Sequence, residues 1–157
     1  MTLMDKFKLF AILLLAVISY QLITQEESVQ VFYNNSEFNF EYILKEKDQD
    51  SSLPLLIFLH GNGDTPDNFF EGNFEELKKS FRILLFKAPY KCSIGLPTGT
   101  CWPYDKKEIP DYYGALNIAI KRLHQSFPSN GQKPVLVGYS GGAAAAYYLA
   151  SNSPEDY

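Results

Sequence analysis

Runs of apolar residues with two different periods succeed one another along the chain. Val29 to Asn34 and Phe38 to Leu44 are rich in Val, Phe, Tyr and Ile with partial alternation, which predicts two strands of a hairpin turned at Asn34-Asn35-Ser36. Lys45 to Ser52 is polar and charged and predicts a loop. Leu55 to Leu59 is continuously apolar and stops at His60-Gly61, the pattern of a strand covered on both faces. Thr65-Pro66-Asp67 then supplies a capping hydroxyl, a proline for the first helical position and an acid for the first turn. Phe70, Phe74 and Leu77 continue at helical spacing towards Lys78-Lys79, where cations suit the helix end, although Gly72 weakens this helix.

Phe81 to Phe86 predicts a second buried strand, closed by Ala88-Pro89, and a long loop runs from Tyr90 to Pro110. A helix starts near Pro110-Asp111, with an apolar stripe of Tyr112, Leu116, Ala119, Leu123 and Phe127, and Pro128 ends it. Val135 to Val137 predicts a third buried strand, followed by Gly138-Tyr139-Ser140-Gly141-Gly142 and an Ala-rich helix from Ala143 to Ser151. Apolar strands alternating with helices make βαβ units, hence an α/β fold with a mostly parallel sheet and flanking helices.

The N-terminus breaks this pattern. Lys6 and Lys8 precede an apolar run from Leu9 to Ile18, with Val17 and Ser19 placed for cleavage after Ser19. That is the layout of a secretory signal peptide over residues 1–19, leaving residues 20–157 as the folded domain. A membrane anchor is the alternative, but spanning lipid takes about 20 apolar residues, and Gln21 and Gln25 interrupt any extension of this run. Export agrees with the glycosylation triplet Asn34-Asn35-Ser36 and with the two cysteines. Cys92 and Cys101 flank a Gly/Pro-rich loop and are expected to pair in an oxidising compartment, the alternative being two unpaired thiols.

A length of 157 residues allows one domain at most, and 46% hydrophobic residues suffice for a core. With 14 basic against 18 acidic side chains and a net charge of −4, no basic excess exists to neutralise phosphates, so nucleic acid is not an expected partner. Two cysteines and two histidines are a poor supply for a metal centre, and none is expected.

Candidate chemistry is concentrated in two short segments. Gly138-Tyr139-Ser140-Gly141-Gly142 matches G-x-S-x-G, with a strand ending at its first glycine and a helix beginning just past its serine. That context is the one a nucleophile elbow requires, because the serine sits in a strained turn that exposes its hydroxyl. The alternative is an ordinary strand–turn–helix junction with Ser140 as a helix cap. An acyl-transfer site also needs N–H donors for the negative oxygen of its transition state. The segment Leu59-His60-Gly61-Asn62-Gly63-Asp64 is placed to give one, so the expected donors are the amides of Asn62 and Gly141. His60 precedes the nucleophile and belongs to the turn, which points to a structural role; His124 reads as a helix residue without a role. Tyr90, Trp102 and Tyr104 are candidates equally for an acyl or aryl site and for core.

Taken in order, Leu55 to Thr65, Ala88-Pro89, Trp102-Pro103-Tyr104-Asp105 and Gly138 to Ala143 resemble the phospholipase/carboxylesterase family of α/β-hydrolases, to which acyl-protein thioesterases belong. The resemblance covers about Leu55 to Ser151. It implies a serine hydrolase of carboxylic esters or thioesters, without a cofactor, acting on a small-molecule ester or lipid-like substrate through Ser140. Gly141 departs from the family pattern, which usually has Gln there, and a secreted member departs from the cytosolic thioesterases towards secreted esterases. In this fold an acid and then a histidine follow the serine. After Ser140 the sequence holds only Glu155 and Asp156 as acids and no histidine. The expectation is therefore the front part of a hydrolase whose C-terminal strands lie beyond Tyr157. The alternative is a non-catalytic binding protein that kept the elbow.

Overall fold

A computed structural model of the protein describes residues 30–31, 38, 40–45, 52–70, 76–127, 129 and 131–157. The signal segment, the glycosylation triplet with its hairpin turn, and Gly72 and Phe74 lie outside them.

The strands are β1 (Gln30–Val31), β2 (Phe40–Lys45), β3 (Leu55–Leu59), β4 (Arg82–Phe86), β5 (Tyr90–Lys91), β6 (Thr100–Cys101) and β7 (Val135–Gly138). The helices are α1 (Pro66–Phe70), α2 (Ile109–Ser126) and α3 (Gly141–Asn152), with a 3-10 turn at Leu77–Lys79. The main sheet has the order β1-β2-β4-β3-β7. The first two strands pair antiparallel, as the hairpin pattern implies, and β2 is antiparallel to β4, whereas β4, β3 and β7 run parallel.

Alternate residues of the central strands enter two separate cores. Leu55, Ile57 and Leu59 join Leu84 and Phe86 beneath α2 and α3, together with Trp102. Leu56 and Phe58 join Ile83 and Leu85 on the opposite face, against Leu77, Phe81 and Val137. All five residues of β3 and of β4 are buried, which is why these strands carry no alternation in sequence. Each such Leu, Ile or Phe contributes about 1.5–3 kcal/mol by leaving water. On α2 the buried face is broader than the predicted stripe, adding Tyr113, Ala115 and Ile120, because the helix packs on both the sheet and α3.

Three expectations are corrected. β7 is not buried: Val135 is 42% exposed and Leu136, Val137 and Gly138 are half-buried, since β7 pairs only with β3 among the described residues. An apolar run records that side chains avoid water, not how many neighbours the strand has. The long loop from Tyr90 to Pro110 is organised, with β5 and β6 forming a two-stranded ribbon and the Cys92–Cys101 disulfide beside it. His124 is not idle: its Nε2 lies 3.0 Å from both Ser129 Oγ and the Gln132 carbonyl, tying α2 to the segment leading into β7. Among the described residues no helix is long and apolar enough to cross a membrane.

Candidate active site

Ser140 sits where β7 ends and α3 begins. It has φ +51° and ψ −115°, and is the one non-glycine residue with positive φ among the described residues. This left-handed region is costly for a residue with a Cβ, of the order of 1–3 kcal/mol, and persists only where the surroundings enforce it. Here they do. The Tyr139 amide donates to the Leu59 carbonyl (3.0 Å), and the Gly142 and Ala143 amides close the turn onto the carbonyls of Tyr139 and Ser140 (2.9 and 3.0 Å). A Cβ on Gly142 would collide with the Leu59 carbonyl oxygen and stand 2.5 Å from that of His60; one on Gly138 would collide with Gly142. Both glycines of G-x-S-x-G are thus demanded by backbone contact. The Ser140 side chain makes no capping bond and has no partner among the described residues. Helix capping therefore does not account for this serine.

The turn from His60 to Asp64 lies against the elbow: a Cβ on Gly61 would fall 3.5 Å from Ser140 Cβ. Neither the Asn62 nor the Gly141 backbone N–H donates to any group among the described residues. Two unpaired amides on adjoining segments beside an exposed serine suit a developing oxyanion.

His60 is fully buried. The Ala88 amide donates to its Nε2 at 3.0 Å, so Nε2 is the bare nitrogen and Nδ1 carries the hydrogen, which it gives to the Gly61 carbonyl at 2.8 Å. Thr100 Oγ1 lies 3.3 Å from the same Nε2. Burial lowers the pKa of His60, outweighing the opposing Gly61 bond and Asp64 charge, so the ring stays neutral. With both nitrogens committed, it is a fixed strut of the turn. Among the described residues Asp156 contacts no histidine; its partners are Lys121 and Asn117. Burial opposes its ionisation, but Lys121, 2.7 Å away, and Asn117 outweigh this and hold its pKa below the usual carboxylate value.

Sequence reasoning missed the scaffold of the turn, which is the disulfide loop. The Gly63 amide lies 3.0 Å from both the Thr100 carbonyl and Cys92 Sγ. The Leu96 and Thr100 amides donate to the carbonyls of Gly63 and Asp64 at 2.8 and 2.9 Å. The Trp102 indole donates to the His60 carbonyl at 2.6 Å, and its backbone amide donates to Asn62 Oδ1 at 2.9 Å. Trp102 is therefore core, whereas Tyr104 is 84% exposed. Tyr90 and Tyr104 line an open cleft of about 400 Å³ with Asp105 and Glu108. Partial burial and then the hydrogen bond with Glu108 raise the pKa of Tyr90. A lone Cys-Trp pair in sequence hints at such a scaffold but not at what it holds.

The sequence matches no protein-family model and no curated protein. Its fold is similar to the carboxylesterase from Mesorhizobium loti, with a TM-score of 0.62 and 16% identity over 83% of this chain and 61% of that one. It is also similar to an acetyl xylan esterase from Aspergillus awamori (TM-score 0.66, 16% identity, 83% of this chain and 48% of that one). For the Bacillus cereus carboxylesterase the TM-score is 0.56 at 19% identity, over 74% of this chain and 56% of that one. The chain has the α/β-hydrolase fold. It spans about half to three-fifths of the length of these structures.

Proposed function

We propose that the chain carries the nucleophile and oxyanion donors of a serine hydrolase of carboxylic esters or thioesters, of the phospholipase/carboxylesterase type. The observation that carries this reading is Ser140 at φ +51°, exposed and unpartnered beside the free amides of Asn62 and Gly141. Ser140 Oγ would attack the carbonyl carbon while its proton passes to a base, and the oxygen would take the negative charge facing the two amides. Expulsion of the alcohol or thiol, carrying a proton, leaves an acyl-Ser140 ester that water hydrolyses. Among the described residues His60 and His124 are both engaged elsewhere, so neither is the base. The esterase neighbours favour a small-molecule ester as substrate. Residues 1–19 are read as an export signal, which N-terminal sequencing of the secreted product checks.

The test is labelling by a fluorophosphonate, with and without imidazole as an external base. Labelling should be slow, accelerate with imidazole as pH rises through its pKa, near that of histidine at about 6.5, and vanish in Ser140→Ala. Labelling that survives Ser140→Ala, or its absence even with imidazole, overturns the reading and favours a non-catalytic binding protein.

A further inference from the structure

Resting on that reading, we propose that the side-chain NH2 of Asn62 is a third donor to the substrate's anionic oxygen, beside the backbone amides of Asn62 and Gly141. The carboxamide of Asn62 lies directly over Gly141. A Cβ on Gly141 would fall 2.5 Å from Asn62 Cγ and Oδ1 and 2.8 Å from Nδ2. A side chain at position 141 and this placement of Asn62 are mutually exclusive. Gly141 is therefore the residue that admits Asn62 to the space a larger residue there would fill.

The orientation of the carboxamide is decided by Trp102. Its backbone N–H can only donate, so the atom 2.9 Å from it is the oxygen, Oδ1. The NH2 group is thereby turned away from Trp102, and Nδ2 has no acceptor among the described residues. Asn62 is exposed, so this free donor reaches the solvent-facing side of the site. One side chain then meets two other segments and keeps a free end: its oxygen is held by Trp102 beside the disulfide, its plane covers the first residue of α3, and its nitrogen is left for a ligand. A preset donor needs no reorganisation when charge develops, which is the condition for strong transition-state stabilisation.

Two substitutions separate a donor from a mere tie. Asn62→Asp keeps an oxygen for the Trp102 amide but replaces the NH2 by a negative charge. Asn62→Ala removes both oxygen and NH2 without adding charge, so slowing supports the donor only together with the response of the NH2 resonances below. If the NH2 acts on the oxyanion, both variants label about 100-fold more slowly than the wild type, the loss typical of one oxyanion donor, while the unfolding midpoint of Asn62→Asp stays at the wild-type value. If the side chain only ties loops together, Asn62→Asp labels at the wild-type rate and the proposal fails. A second readout does not depend on Ser140 reacting. In the 15N-labelled protein titrated with butyrate, the Asn62 side-chain NH2 resonances should shift together with the Gly141 backbone amide. Shifts of the backbone amide alone, or no shift at all, overturn the third donor. A wild type that stays unlabelled while the NH2 resonances shift overturns the serine-hydrolase reading and leaves Asn62 as an anion-binding group.

Discussion

The elbow at Gly138–Gly142 and the turn at His60–Asp64 face each other, but they are held in different ways. The elbow is closed mainly by its own backbone: the Gly142 and Ala143 amides bond back to Tyr139 and Ser140 and Gly138 packs on Gly142, with the Tyr139 amide and Gly142 set against Leu59 at the end of β3. The turn is held from outside, by Ala88, Thr100 and Trp102, which lie 28 to 42 residues away from His60 in sequence. A locally closed strained turn tolerates no added atom, while a turn braced at a distance depends on the integrity of its brace.

The largest effect should come from the elbow. Gly142→Ala puts a methyl group onto the Leu59 carbonyl, a backbone atom that cannot step aside. It should cost about 3 kcal/mol or more, read as a lowered urea midpoint, and disorder Ser140. The contrast breaks if this variant unfolds at the wild-type midpoint. Next comes the brace. Opening the Cys92–Cys101 bond should cost about 2.7 kcal/mol on the chain-entropy account. Denaturation with and without a phosphine reductant measures it, and neither thiol should accept a maleimide before reduction. The same treatment should slow Ser140 labelling, because the turn loses its support while the elbow keeps its own.

A smaller effect follows from His60. Its folded pKa is depressed, so the unfolded chain binds the proton more readily. The stability it contributes is complete above the unfolded value of about 6.5 and is lost as pH falls through the folded one. Protonation would place a hydrogen on Nε2, facing the Ala88 N–H. Denaturation midpoints at pH 7.5 and 5.5 (about one unit either side of that value) should show the loss in the wild type and not in His60→Gln. The smallest effect sharpens the contrast from within the turn. Gly61→Ala meets most closely the ring of Tyr139, at 3.1 Å, a contact that a few tenths of an ångström relieves, and Ser140 Cβ at an ordinary 3.5 Å. It should shift stability by less than about 1 kcal/mol.

What could be read from the sequence follows this same division. The buried strands β3 and β4, helix α2 and the α/β class were legible because solvent exclusion and helical periodicity act over neighbouring residues. The elbow was legible too, since Gly138 answers crowding within the turn itself, and a strand leading into a helix around G-x-S-x-G is a local pattern, although the Leu59 and His60 carbonyls that demand Gly142 are not. The exposure of Val135 was not, because an apolar strand reads alike whether or not a further strand pairs with it among the described residues. Nor was the brace. The structural role of His60 was legible, but that its partners are Ala88 and Thr100, that Trp102 belongs to the core, and that Asn62 lies over Gly141 each depend on contacts across 28 to 79 positions. Local pattern determined which segments fold and where a nucleophile can stand. Only the tertiary structure decided which atoms face it, because a hydrogen bond has a direction and a partner that residue type alone does not name.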